Sequence, residues 1–540
     1  MKKKESLNIK FSLIAAIVAL GALTWAYNVH NRTAMPHNVN FPETKYGAFL
    51  AAQHAVYVND FANALKFADK FQDTDLHAVQ NSKLLIEFLA GKMPQDAALL
   101  KSEKNMAAQL IYDAYLIQND NWKELHNRHK TDKSALAAPL RIWSAIANDW
   151  RTNTFKFIET LPTNASWKAF IRGQIHAELG DAEKAAENFA QVDAEFMNIN
   201  DYLYMMSFYT HHDMQENAQK LKADFTSRPG GMFMTNFDKI PDWSVYSGYK
   251  NALAFSLVQN VSHTQIMMKS DLAMLLLRFA QITAPDFANN NNAVDYYLGQ
   301  YFFNNVGDYE THFKNINPES PFFVFGALRT ADKTNNIKEL ENILDENPLF
   351  VPAVNNAVGY HIQHGNKRAA LNIIKRAIKD ENLNEEGRAF FIKSRAQINF
   401  AFGDLDAAQQ DLTEAANVLN LDAEIASLQA KIWAAQNREL DNAYDYAMNL
   451  VLANPTDTLA WDTMGCVIAV RENVDEALDI LTRVGEVSEN YSALFEHIGD
   501  MYVLKGENDK AREAYMRAID LSDDGLTVVP NVKRKIRKLK

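Results

Sequence analysis

Near its C-terminus the chain repeats itself. Trp461, Gly465 and Ala477 recur as Phe495, Gly499 and Ala511, and the members of each pair lie 34 residues apart. Ala443 stands one period earlier, and Asn454-Pro455 closes that unit. The last unit, FEHIGDMYVLKGENDKAREAYMRAI, adds Tyr502, Gly506, Tyr515 and Ala518. A fixed period of this length fits two antiparallel helices joined by a short turn. Such a pair cannot bury its shared faces alone, and stacking further pairs completes the core. Interaxial distance is set by the side chains at the contact, so small residues mark where axes come close. Gly499 on the first helix and Ala511 on the second fit that role. Phe495, Tyr502 and Tyr515 fill the wider gaps, and Gly506 suits the turn that ends a helix. Asn-Pro stops one helix before the next unit begins. With only 20 Gly and 14 Pro in 540 residues, turn-formers have about half their usual share. The expected fold class is all-α, a solenoid of helix hairpins.

These residues resemble the tetratricopeptide repeat (TPR) family. The resemblance is clearest over 456–522 and extends to 422–455. It returns at 166–192 through Gly173, Gly180, Ala185 and Phe189, and at 200–225 through Tyr209 and Ala218. Units further off the pattern lie at 46–70 (Ala55, Ala64), 295–316 (Leu298-Gly299, Gly307), 351–378 (Gly365, Ala370, Ala377) and 395–416 (Gly403, Ala408, Ala415). The layout is also similar to long exported TPR proteins of alphaproteobacteria. The resemblance implies a right-handed superhelix whose first helices line a concave face that holds a peptide. Carried over by register, the groove positions are Asp462, Cys466 and Ala469, then Glu496, Asp500 and Val503. The family's clamp for a peptide C-terminal carboxylate uses Lys and Asn at such positions. Acids stand here instead, so the expected occupant is a basic or neutral segment. Trp461, Gly465, Ala477, Phe495, Gly499, Tyr502, Ala511, Tyr515 and Ala518 are expected to pack the repeats.

The ends differ from the body. Three lysines, Lys2 to Lys4, precede the uncharged run FSLIAAIVALGALTWAY at 11–27. A basic front on an apolar stretch reads as an export segment. Residues 1–27 are expected to be a signal peptide or, if retained, an inner-membrane anchor, and 28–44 a polar linker. Beyond the linker, the expected divisions are an N-terminal repeat block at 45–228, an irregular helical middle at 229–320, a second block at 321–522 and a basic capping tail at 523–540. Breaks are expected at Arg228-Pro229-Gly230-Gly231, at Ala288 to Asn292 as a loop or helix cap, and at Pro318 and Pro321. One continuous superhelix also fits. In the tail, KRKIRKLK carries no acid, and Val532, Ile536 and Leu539 form an apolar stripe. It reads as a capping helix with a solvated basic face, a contact for anionic lipid, or a segment that docks on the acidic body or on an acidic partner.

The chain carries 55 Lys and Arg against 67 Asp and Glu, a net charge of −12. That balance argues against a general nucleic-acid binder. The single cysteine, Cys466, excludes an internal disulfide and a four-cysteine zinc ribbon. Membrane-anchored TPR regulators of lipopolysaccharide assembly end in such a metal domain, so that analogy stops at anchor plus repeats. No phosphate loop, dinucleotide fingerprint, nucleophile elbow or zincin motif is present. His126 and His129, with Asp132 beyond, and His361 and His364 have helical spacing for a metal but fall short of a full ligand set. Cys466 has no basic residue one turn away along its own helix. No metal or cofactor is expected. The sequence points to a non-catalytic scaffold for protein partners, exported to the periplasm or the periplasmic face of the inner membrane. The competing readings are an enzyme with an α/α helical body acting on an envelope substrate and a regulator of envelope assembly.

Overall fold

The computed structural model describes residues 44–539 except 72–76, 133, 135, 228–238, 264–270, 306, 335, 382, 420–421, 472 and 489. The export segment, nearly all of the linker and the Arg228 to Gly231 break lie outside the described residues. Those residues form helices and no strand, and no helix among them is long and apolar enough to cross a membrane. The chain divides into two compact units, Met1–Ala90 and Gly91–Lys540.

In the first unit, helix Lys45–Tyr57 starts where Thr44 Oγ1 accepts the Gly47 N–H at 3.0 Å. It pairs with Phe61–Ala68. Ala48, Ala52 and Ala55 face Ala64 and Ala68, and Ile86 of His77–Leu89 closes the cluster. With alanines at the centre of the contact, the two axes can approach closely.

The second unit is a succession of hairpins. Met106–Gln118 pairs with Trp122–His129, Ala137–Ala147 with Arg151–Glu159, Ala165–Glu178 with Ala182–Phe189, and Ile199–His211 with Gln215–Ser227. After Tyr249–Ser262 with Asp271–Thr283 and Ala293–Asn305 with Tyr309–Asn315, the hairpins are Phe323–Thr334 with Ile337–Glu346, Val351–Gln363 with Lys367–Ile378, and Glu385–Ala401 with Leu405–Ala416. The last are Ala423–Ala435 with Leu440–Ala453, Thr458–Arg471 with Val474–Val487, and Ser492–Leu504 with Asn508–Asp520, and Val529–Lys538 comes after them. The first two hairpins of this unit contain no glycine.

One turn joins most of these pairs. Asn59, Asp120, Asp149, Gly180, Asp213, Gly365, Gly403, Asn437 and Gly506 each lie two residues past a first helix, with φ between 52° and 77°. The next N–H reaches back into the last turn of that helix, as Glu507 N–H does to the Tyr502 carbonyl at 2.9 Å. Asp60, Asn121 and Asp181, each next after the left-handed residue, then cap the second helix. A left-handed residue with a six-to-one hydrogen bond is the Schellman closure. Asn and Asp adopt it at modest cost because their short side chains bond locally.

Small residues set the spacing inside the hairpins. A Cβ added at Gly465 would come within 2.4 Å of Leu481, and one at Gly499 within 2.4 Å of Tyr515. Gly173 meets Phe189 and Gly299 meets Phe313 in the same way, each at 2.3 Å.

Three segments of the second unit return to distant helices. Tyr249–Ser262 packs on Ala137–Ala147, where Trp143 Nε1 donates to Ser256 Oγ at 2.9 Å in a buried contact. Asp271–Thr283 packs on Met106–Gln118, and Gln118 Nε2 donates to the Ile282 carbonyl at 3.1 Å. Residues 522–530 return to Val351–Gln363. There Gln363 Nε2 donates to Ser522 Oγ at 3.0 Å, and Val528 joins the core of Val354, Ala357 and Phe391. The run at Ala288 to Asn292 lies in Pro285–Asn291 and ends at Asn292, a left-handed cap with φ 62°. Pro318 and Pro321 stand between Tyr309–Asn315 and Phe323–Thr334.

Candidate functional site

Side-by-side stacking brings residues about one period apart into contact, and the first helices of the last three hairpins show the result. Lys431, Asp462 and His497 come from three successive first helices. Asp462 Oδ2 accepts from Lys431 Nζ at 2.6 Å, and Asp462 Oδ1 from His497 Nδ1 at 2.7 Å. Cys466, one turn beyond Asp462, places Sγ 3.4 Å from the same Nδ1. Beside them, the Ser427 and Thr463 hydroxyls share a 2.7 Å hydrogen bond.

The Asp462 side chain is 0% exposed. Burial opposes its ionisation, yet His497 and Lys431 hold the carboxyl well below its usual range. Burial likewise opposes the charged forms of Lys431 and His497, and Asp462 outweighs it, so both titrate above their ordinary values. Burial raises the nearby Tyr491 phenol to about 12. Asp462, expected to face a ligand in the groove, is thus an internal counter-ion held by its neighbours.

Glu496 and Asp500 are also engaged from within the chain. Lys535 Nζ sits 2.8 Å from Glu496 Oε1 and 2.7 Å from the Asp500 carboxylate, while Tyr515 OH donates to Asp500 Oδ1 at 2.6 Å. The helix carrying Lys535, Val529–Lys538, rests Val532 on Ala511 and Tyr515, with Ile536 and Leu539 alongside. The tail's apolar stripe therefore lies against the last hairpin, and one of its lysines meets both acids. Val503 remains 39% exposed on the same first helix.

The packing positions sit between helices. Trp461 leans on the cluster of Ala430, Ala443, Met464 and Ala477, and its Nε1 donates to the Pro455 carbonyl at 2.8 Å. Phe495 packs on Leu478, Leu481 and Ile498. Tyr502 touches both that cluster and the one around Ala511 and Tyr515, and Ala518 is fully buried.

The histidine pairs do not converge. His129 Nε2 pairs with Asp113 at 2.8 Å, whereas His126 Nδ1 meets Ser144 Oγ at 3.3 Å. Asp132 accepts from the Ser134 N–H. His361 lies 3.6 Å from Glu341, and His364 Nδ1 lies 2.7 Å from the Tyr360 carbonyl.

Chemically, the cluster is not arranged as a proton relay. A relay puts the orienting acid on one imidazole nitrogen and the nucleophile on the other. Here Asp462 and Cys466 share Nδ1. Asp462, Cys466 and His497 do offer an oxygen, a sulfur and a nitrogen within 4.8 Å of one another. Reading along single helices misses Lys431, His497 and Lys535, because each meets the site from a neighbouring helix 31 to 39 residues away. The signal available in the sequence was the repeat period itself.

Residues 422–540 match the tetratricopeptide repeat-like domain. This stretch belongs to the tetratricopeptide repeat family. No curated protein matches the chain. Solved structures similar to it include the APC/C hetero-tetramer Cut9-Hcn1, at 13% identity over 94% of this chain and 99% of that chain, with a TM-score of 0.32. A tetratricopeptide repeat protein from Parabacteroides merdae ATCC 43184 is 12% identical over 54% of this chain and 98% of that one, with a TM-score of 0.31. Yeast Tom70 is 12% identical over 82% and 96%, with a TM-score of 0.28. Likeness at this level carries no weight for function, which is read instead from the TPR hairpins of 422–540 and their packing.

Proposed function

We propose that the chain is a non-catalytic TPR scaffold that binds protein segments in the bacterial cell envelope. Its contact face is formed by the first helices of the C-terminal hairpins. One observation carries the reading: Glu496 and Asp500, one helical turn apart, hold the Lys535 ammonium of a basic helix. The acidic positions of this face accept a basic segment, here the chain's own, and a partner's basic segment would use the same chemistry. A face already built loses little entropy when a segment docks on it. The envelope address rests on Lys2 to Lys4 ahead of the apolar run at 11–27. The shared use of His497 Nδ1 supports a non-catalytic role. The test is a photo-crosslinking residue at Val503 in living cells, with mass spectrometry of the captured proteins and Arg483 on a second helix as the control position. A discrete envelope protein captured at Val503 and not at Arg483 is the expected result. Equal, diffuse labelling at both positions, or capture of cytoplasmic proteins alone, overturns the proposal.

A further inference from the structure

We infer that Asp462, Cys466 and His497 form a binding site for a soft divalent transition-metal ion of the Zn2+ class. The three come from two adjacent first helices, Thr458–Arg471 and Ser492–Leu504. Asp462 and Cys466 are four residues apart and point to one face, and His497 reaches across from the next hairpin. Their ligand atoms already lie within 4.8 Å of one another, with Nδ1 to Sγ at 3.4 Å and Nδ1 to Oδ1 at 2.7 Å. Around a tetrahedral ion, with metal–sulfur near 2.3 Å and metal–nitrogen or –oxygen near 2.0 Å, ligand atoms stand roughly 3.3–3.7 Å apart. The sulfur–nitrogen edge fits as it stands, and the oxygen–nitrogen edge opens by about half an ångström.

The donor set selects the ion. Thiolate and imidazole favour zinc and its neighbours over magnesium or calcium, which take oxygen. The surroundings supply a second shell as well. Lys431 Nζ holds Asp462 Oδ2 at 2.6 Å and leaves Oδ1 to face the ion, the outer-shell hydrogen bond that orients a ligating carboxylate. Binding replaces protons. The Cys466 thiol proton and the His497 Nδ1 proton leave to solvent, and the ion bonds to thiolate sulfur, imidazole Nδ1 and carboxylate oxygen. Two anionic ligands balance the dication, and Lys431 keeps its charge. The His497 side chain is 23% exposed and Cys466 is partly exposed, so the site has a way in. With three protein ligands, the fourth position is open to water or to a donor from a bound partner.

The site is independent of the scaffold reading, since it needs no partner and uses neither Glu496 nor Asp500. The experiment is a Co2+ titration of the full chain at pH 7.5, read by absorption. Tetrahedral Co2+ bound through a thiolate gives a sulfur-to-cobalt charge-transfer band in the near ultraviolet and strong visible bands. One equivalent should produce both, and Zn2+ should abolish them. Cys466→Ser should lose the charge-transfer band while keeping the far-ultraviolet circular dichroism and thermal midpoint of the metal-free chain. His497→Gln should weaken binding at least about tenfold, as should lowering the pH to 5.5, because protons compete for the ligands. Absence of a charge-transfer band in the unaltered chain at millimolar Co2+, or Cys466→Ser binding Co2+ as tightly as the unaltered chain, overturns the proposal.

Discussion

At the scale of single residues, the repeat is held at a few close approaches. Gly499 and Gly506 lie in the same hairpin and answer to different physics. A methyl group at 499 would enter the space of the buried Tyr515 ring, whereas one at 506 meets nothing within 4 Å but sits at φ 75°. Gly499→Ala should therefore destabilise the C-terminal hairpins by about 1–3 kcal/mol through overpacking. Gly506→Ala should cost about 1 kcal/mol through backbone strain. Urea unfolding followed by far-ultraviolet circular dichroism checks both. The ionic cluster makes a pH statement. Asp462 titrates below its usual range in the folded chain, so its contribution is full above about pH 4 and is lost as acid protonates it. His497 titrates above its usual value, so its contribution is full below about pH 6.5 and is lost as pH rises through the raised value. His497→Gln should flatten the alkaline fall in the thermal midpoint and also shrink the acid limb, because His497 helps hold the Asp462 carboxyl down and only Lys431 would remain to do so. Asp462→Asn, which leaves Lys431 buried without its counter-ion, should cost about 3–5 kcal/mol. None of this coupling was legible along the sequence. A carboxylate on a helix looks the same whether it faces solvent or a lysine one repeat away.

At the scale of elements, the hairpins were readable where glycine and alanine mark the contacts, as at Gly465, Ala477, Gly499 and Ala511. They were hidden where the same turn is built from Asp120 or Asp149. The backbone there takes the left-handed geometry of Gly180 and Gly506, but aspartate is common elsewhere on helices and carries no such message. The C-terminal helix is the element with two duties. Val532 covers Ala511 and Tyr515, Lys535 pairs with Glu496 and Asp500, and Val528 just before it belongs to the core of Val351–Gln363. Ending the chain at Leu526 should then speed amide hydrogen exchange in both Ser492–Leu504 and Val351–Gln363, segments far apart in sequence. A tail that merely solvates the last hairpin would affect the first of these alone.

At the scale of the whole molecule, a linear array couples each repeat only to its neighbours, and this chain departs from that rule at several described contacts within residues 91–540. Trp143 to Ser256 and Gln363 to Ser522 span 113 and 159 residues. Periodicity cannot announce such contacts, because they join units that share no register, whereas the all-α class comes from the period and the scarcity of Gly and Pro. What remains as the common basis is the helix hairpin closed by a left-handed turn. Hydrogen exchange with mass spectrometry on the full chain reads it directly. Protection should be strong within Thr458–Arg471, Val474–Val487, Ser492–Leu504 and Asn508–Asp520. It should drop in the first turn of each second helix that follows Asp120, Asp149, Gly180, Asp213, Gly403 and Gly506, where N–H groups have no carbonyl one turn back within their own helix. Protection running unbroken through those positions, or absent across 458–520, would contradict a stack of hairpins.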